Sequence, residues 1–284
     1  MKVAVVNSRT SLVVGDRLVD AKRASGGAVP ADPAAMFAAW PALLAVAARL
    51  EREGAPSDAP ALDLGALERP VPVPSQAFGI GLNYADHAGE SAMALPDRPL
   101  VFPKFSSSIA GPNEPVATRS GALDWEAELV VVIGTDCYEV DAADALSVIA
   151  GYTVGQDLSD RVVQFEGGAN PQFGLGKSAP GFGPIGPWVV SADELGAAGR
   201  LDIRCDVDGV TKQASNTRHL IFDVPALVEY LSHRVRLHAG DLIFTGTPAG
   251  VGFSRTPAEW LRPGSRIDTT ISGIGTLITR VTGR

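Results

Sequence analysis

The chain has 284 residues, 45% hydrophobic and 20% charged, a composition that suits a globular protein and not a disordered one. Its formal charge is -8 and no stretch gathers Lys and Arg, which excludes nucleic acid and anionic membranes as natural partners. A small anionic ligand stays compatible, because a bound cation inverts the local field.

The first residues alternate as strands do: Val3 and Val5, then Leu12 to Val14, then Leu18 and Val19. Gly15-Asp16 separates the last two runs, which predicts a hairpin. Residues 33–53 turn alanine-rich and helical, with Asp32 as N-cap, Pro33 at the tolerated first position and Gly54 as terminator. Pro41 should kink or split that helix. The following run, APSDAPALDLGALERPVPVPS, has linker composition and sets an expected boundary near residue 70, between a small N-terminal domain (1–70) and a larger one (71–284).

The larger part is strand-dominated. Leu129–Gly134 and Ile149–Val154 read as buried strands. Leu201, Ile203, Cys205 and Val207 alternate up to Asp208-Gly209, a hairpin signal. A second hairpin runs from Ile267, Thr269 and Ile271 through Gly273-Ile274-Gly275 to Leu277, Thr279 and Val281. One helix stands among them, capped by Asp223, with Pro225 in its first turn and Leu227, Tyr230 and Leu231 as its apolar stripe. The expected class is α+β, strand-dominated. Cys137 and Cys205 form neither a disulfide framework nor a zinc spacing, and MKVAVVNSRT has no signal-peptide core. Two buried thiols in a cytoplasmic protein without a membrane span are expected.

Chemistry concentrates in a few segments. In Asp124-Trp125-Glu126-Ala127-Glu128, Glu126 and Glu128 are two apart, so on a strand they share one face. Two carboxylates side by side repel unless a cation lies between them. Asp157 leaves the next buried strand through Gly155-Gln156 and offers a third oxygen. Three carboxylates without Cys or His describe a hard-cation site, with magnesium the expected ion, since calcium would want more ligands or an EF-hand pattern. His87 and Glu90 stand three apart after Gly79-Ile80-Gly81-Leu82-Asn83-Tyr84. On a helical turn the carboxylate would orient the imidazole as a general base, and the glycine-rich run would serve as a closing loop. Arg161 and Gln164 lie one turn apart. Lys177 is open to three readings: Schiff-base nucleophile, oxyanion stabiliser or surface lysine. The loop from Thr245 to Gly252 offers backbone amides to a carboxylate. It is not a Walker loop, no dinucleotide fingerprint is complete, and no Gly-x-Ser-x-Gly elbow exists.

Taken in order, GLNYADHAGE, VFPKFSSSIAGPNEPV, DWEAELVVVIG, GYTVGQDLSDRVVQ, GLGKS with FGPIGPWVV, and GDLIFTGTPAGVG resemble the catalytic domain of the fumarylacetoacetate hydrolase family across residues 78–284. The resemblance implies a mixed β-roll catalytic domain, a homodimer, and one Mg2+ or Mn2+ per site. It implies Glu126, Glu128 and Asp157 as metal ligands, and His87 with Glu90 as the water-activating dyad. Arg161, Gln164 and Lys177 would surround the substrate, Thr247 would hold its carboxylate, and Tyr84 joins the candidate substrate contacts. Two positions depart from the family pattern: Pro180, where Asp is frequent, and Gln156, where Asn is common. Both bear on pocket shape. The implied reaction is hydrolysis of a carbon–carbon bond in a small anionic 2-oxo acid of the acylpyruvate or fumarylpyruvate type, through an enolate that the ion stabilises. Decarboxylation of oxaloacetate, hydration or isomerisation of an unsaturated 2-oxo acid, and an inactive scaffold are the alternatives.

Overall fold

The computed structural model describes residues 1–72, 74–86 and 96–283. Three strands are buried along their whole length: Ala127–Ile133, Ile149–Gln156 and Gly183–Ser191. A strand with no exposed face must be covered on both sides, so these three mark the middle of a layered structure. They pair antiparallel in the order 183–191, 149–156, 127–133. Beyond 127–133 the sheet continues through Leu242–Phe244, Ala77–Gly81 and Leu100–Pro103. Beyond 183–191 it continues through Lys2–Val6, Arg9–Val14 and Arg17–Asp20.

Side-chain parity along Ala127–Ile133 shows what covers each face. Leu129, Val131 and Ile133 enter a core shared with Ile203, Cys205, Ile267 and Leu277 of a second sheet, and with Val224, Leu227 and Leu231 of the helix Val224–Ser232. Val130 and Val132 enter another core, built with Leu43, Val46 and Leu50 of the helix Trp40–Glu53. The second sheet runs in the order Val210–Asn216, Asp202–Val207, Arg266–Ile271, Gly275–Thr282, Val116–Ala117. This is a strand-dominated α+β fold, as the patterning implies.

Local chemistry accounts for most of the element ends. Asp32 accepts from the Ala34 amide at the start of a short 3-10 turn, Pro33–Ala35. Regular α-helix begins only at Trp40, with Pro41 in its first turn, so the proline splits the expected 33–53 helix. Gly54 closes it with φ 82° and its amide on Leu50. Asp208-Gly209 turns with positive φ at both residues, and Asp223 caps its helix through the Ala226 amide. The N-terminal segment makes three strands on the three expected runs, with the hairpin at Gly15-Asp16 joining the last two. Asn7 and Ser8, both at positive φ, form a turn without glycine that the alternation did not mark. Residues 1–70 share the main sheet, since Val3 pairs with Val189. Both cysteines are free and buried. Among the described residues no helix is long and apolar enough to cross a membrane.

Candidate metal centre

Strand register assembles the site. Ala127 pairs with Gln156 and Glu128 with Gly155, so Glu126 comes to lie beside Asp157, whose amide donates to the Glu126 carbonyl at 2.9 Å. Glycine is needed at 155, because a Cβ there would come within 2.5 Å of Val130 and 2.9 Å of Phe244. Oxygens of Glu126, Glu128 and Asp157 all lie within 4.8 Å of one another, and all three residues are buried. Glu126 stands just before the strand Ala127–Ile133 and Glu128 within it, their carboxylates converge as the two-residue spacing implies, and the third arrives through pairing.

Burying three carboxylates together demands compensation. Lys177 supplies part of it, with its Nζ 2.5 Å from Glu126 Oε2, 2.8 Å from Asp157 Oδ2 and donating to Ser159 Oγ at 2.8 Å. It is 3% exposed, which removes the surface-lysine reading. Burial alone would depress its ammonium, but Asp157 and Glu126 outweigh that and hold it above the ordinary lysine range. A charged ammonium suits oxyanion stabilisation better than amine attack. Lys104, at the end of Leu100–Pro103, is the second cation. Its Nζ donates to Asp157 Oδ1 and to the Lys177 carbonyl, both at 2.5 Å. Arg161 is the third, giving two hydrogen bonds to Asp124 Oδ2 at 2.9 and 2.7 Å and one to Glu126 Oε1 at 2.7 Å. Burial pushes the Glu126 carboxyl up, yet Lys177 and Arg161 together bring it down to about 2. Glu128 goes the other way, raised well above the usual range by burial and by Asp157 and Glu126. Its compensation is a backbone donor, the Gly246 amide at 2.7 Å.

The donor set fits a hard divalent ion. It is all carboxylate, and Asp157 Oδ2 is buried without a hydrogen-bond donor among the described residues; the Lys177 ammonium is within ion-pairing distance but outside hydrogen-bonding geometry. A cation placed among these oxygens would remove the repulsion that lifts Glu128.

The other expected residues are placed as follows. Gln164 accepts from Arg161 at 2.7 Å within the short helix Arg161–Phe165, so the one-turn spacing does bring them together. Thr247 is buried and accepts from Gln213 at 2.8 Å. Gln213 also accepts from the Ala127 amide, tying the second sheet to the acidic strand. The loop does hold a carboxylate by an amide, and it is the protein's own Glu128. Tyr84 is fully buried, its hydroxyl has no partner among the described residues, and burial and Glu128 push its phenol upward. Gln156 accepts from the Glu126 amide at 2.9 Å and donates to Thr269 at 2.7 Å, so this departure from the family pattern anchors the backbone of Glu126. His87 and Glu90 lie outside the described residues.

Three supporting residues escaped the sequence reading. Asp124 has the parity of Glu126 and Glu128, which was a usable signal; it receives the Gly252 and Phe253 amides as well as Arg161. Lys104 carries no local mark of burial. Asn83 is a buried hub that donates to Thr245 and Phe222 carbonyls and accepts from the Phe222 amide. Above the acidic floor opens a cavity of about 570 Å³, lined by Glu126, Glu128, Arg161, Gln164, Lys177 and Thr247 below and by aromatic side chains higher up.

A buried cluster of acids balanced by two ammoniums and a guanidinium, with a cavity opening beside it, has the donor set that suits a divalent cation and a small organic acid. The sequence model for the fumarylacetoacetate (FAA) hydrolase C-terminal family matches residues 76–282, and the chain belongs to that family. A Burkholderia ambifaria protein named "Putative hydrolase" is 48% identical over 201 residues, 70% of this chain and 71% of that one. A crystal structure described as a "putative HpcE protein" from Mycobacterium smegmatis is 42% identical, covers 100% of this chain and 99% of that one, and superposes with a TM-score of 0.88. Maleylpyruvate hydrolase from Sphingobium sp. SYK-6, solved with manganese(II) and pyruvate, is 26% identical, covers 100% and 99%, and gives a TM-score of 0.81.

Proposed function

We propose that this chain is a divalent-metal-dependent hydrolase of 2,4-dioxo acids, adding water across the C3–C4 bond to release pyruvate and a carboxylic acid. The observation that carries the reading is the carboxylate cluster of Glu126, Glu128 and Asp157, two of which line the cavity, with Lys177 against two of its members. Its likeness to a maleylpyruvate hydrolase that holds manganese and pyruvate supports the same choice.

Glu126, Glu128 and Asp157 hold the ion, Mg2+ or Mn2+, which when bound supplies Lewis-acid polarisation of the 2-oxo group. Lys177 holds its charge beside that position and donates to the oxygen that becomes negative as the bond breaks. Gln164 gives its carbonyl to Arg161 and keeps its amide N–H groups for the substrate. Arg161 fixes Glu126 and Gln164 in place, and Thr247 is offered to the substrate carboxylate. His87, oriented by Glu90, takes the proton from water, and the resulting hydroxide attacks the C4 carbonyl.

The test is an assay of acylpyruvates and oxaloacetate with and without chelator, on the natural chain and on His87→Ala. Hydrolysis should stop with chelator and fall about 10²- to 10⁴-fold in the variant. Full activity in EDTA sinks the proposal. The floor is complete without the dyad, which gives a second reading, decarboxylation. Loss of oxaloacetate alone, unaffected by His87→Ala, would favour it.

A further inference from the structure

We infer that the acyl half of the substrate is uncharged and apolar, an aryl or branched-alkyl group and not a second carboxylate. The inference rests on the 2,4-dioxo acid reading above and names the substrate class within it. Above the floor, the cavity walls are Phe102, Phe173, Phe165, Phe253, Leu100 and Val251. Phe102 stacks on Phe173 with centroids 5.7 Å apart, and Phe165 leans on Phe253 at 5.1 Å. The aromatic wall begins directly at the floor, since Lys177 Nζ lies 5.5 Å from the Phe102 centroid and the Arg161 guanidinium 5.7 Å from that of Phe253.

Arg161 is committed to Asp124, Glu126 and Gln164, and Lys177 gives two hydrogens to Glu126 and Ser159 and keeps its third for the oxygen of the 2-oxo half. Among the described residues lining the cavity there is no other Lys, Arg or His. Residues 87–95, HAGESAMAL, bring no Lys or Arg in sequence, and their one basic side chain, His87, serves as the neutral base on water and so offers no fixed positive charge. A second carboxylate, as in fumaryl- or maleylpyruvate, would lie unpaired against phenylalanine rings, a costly burial.

The experiment compares kcat/KM of the full chain, loaded with Mg2+ or Mn2+, for benzoylpyruvate and fumarylpyruvate. We expect benzoylpyruvate to lead by about 10-fold or more. Leu100→Lys, which sets an ammonium at the exposed rim, should narrow that ratio. Equal or better use of fumarylpyruvate overturns the inference. If no 2,4-dioxo acid is turned over, the hydrolase reading fails by itself, and binding then decides the pocket. Calorimetry with Mg2+ would compare 4-phenyl-2-oxobutanoate and 2-oxoglutarate: tighter binding of the aryl acid upholds an apolar acyl site, and tighter binding of 2-oxoglutarate removes it.

Discussion

Lys104 is a lysine with almost no water, 2% exposed, and its Nζ ends on Asp157. Burial pulls its ammonium below the ordinary lysine range and Asp157 only partly restores it. Such a pair contributes little net stability, but breaking it leaves a lone charge inside. Lys104→Met should therefore destabilise the metal-free protein by about 3–5 kcal/mol in urea unfolding; a change under 1 kcal/mol would show that Asp157 finds another partner. Gly246 works through backbone shape. Its φ is 102°, and a Cβ there would lie 2.8 Å from the Asn83 Cβ. Gly246→Ala should cost about 1–3 kcal/mol and weaken metal binding, because its amide holds Glu128. Titration with Mn2+ would read the second effect. Glu126, Glu128 and Asp157 were legible in the sequence because two stand two residues apart at a strand entrance and the third directly follows a neighbouring strand. Lys104 was not: nothing adjacent to it in the chain buries it, and the groups that do come from residues 157, 177 and 182.

At the scale of elements, the N-terminal strands extend the main sheet instead of standing apart. Lys2–Val6 covers the edge of Gly183–Ser191, and the helix Trp40–Glu53 covers Val130, Val132 and Val189. A fragment of residues 71–284 would expose that edge and that face together, and unpaired edges aggregate. Light scattering of the fragment should show association. A monodisperse, cooperatively unfolding fragment would instead establish two independently folding units, divided near residue 70 as the linker composition suggests. Element types followed from periodicity, since hairpins at Asp208-Gly209 and helix caps at Asp32 and Asp223 are local. The Asn7-Ser8 turn was hidden because its residues reach positive φ without glycine.

For the whole molecule, net charge and site charge have opposite consequences. A chain of formal charge -8 repels anions at long range, while the floor of the cavity turns positive once a divalent ion is held there. Ion binding to the native state alone also stabilises it. At about 100 times the dissociation constant, Mg2+ or Mn2+ should add about 2.7 kcal/mol, read as a rise in Tm that EDTA reverses. The rise should vanish in Asp157→Asn; persistence there would place the ion elsewhere.

The sequence by itself determined the ligand types, the parity of Glu126 and Glu128, the family, and most strands and helix ends, because each depends on residues close in the chain or on motifs in fixed order. Only the tertiary structure decided that Asp157 meets Glu126 through one strand register, that Lys104, Lys177 and Arg161 balance the acids, and that phenylalanines from four segments wall the cavity. The reason is physical. Long-range pairing and burial set those distances and dielectric surroundings, and neither is a property of any short stretch of chain.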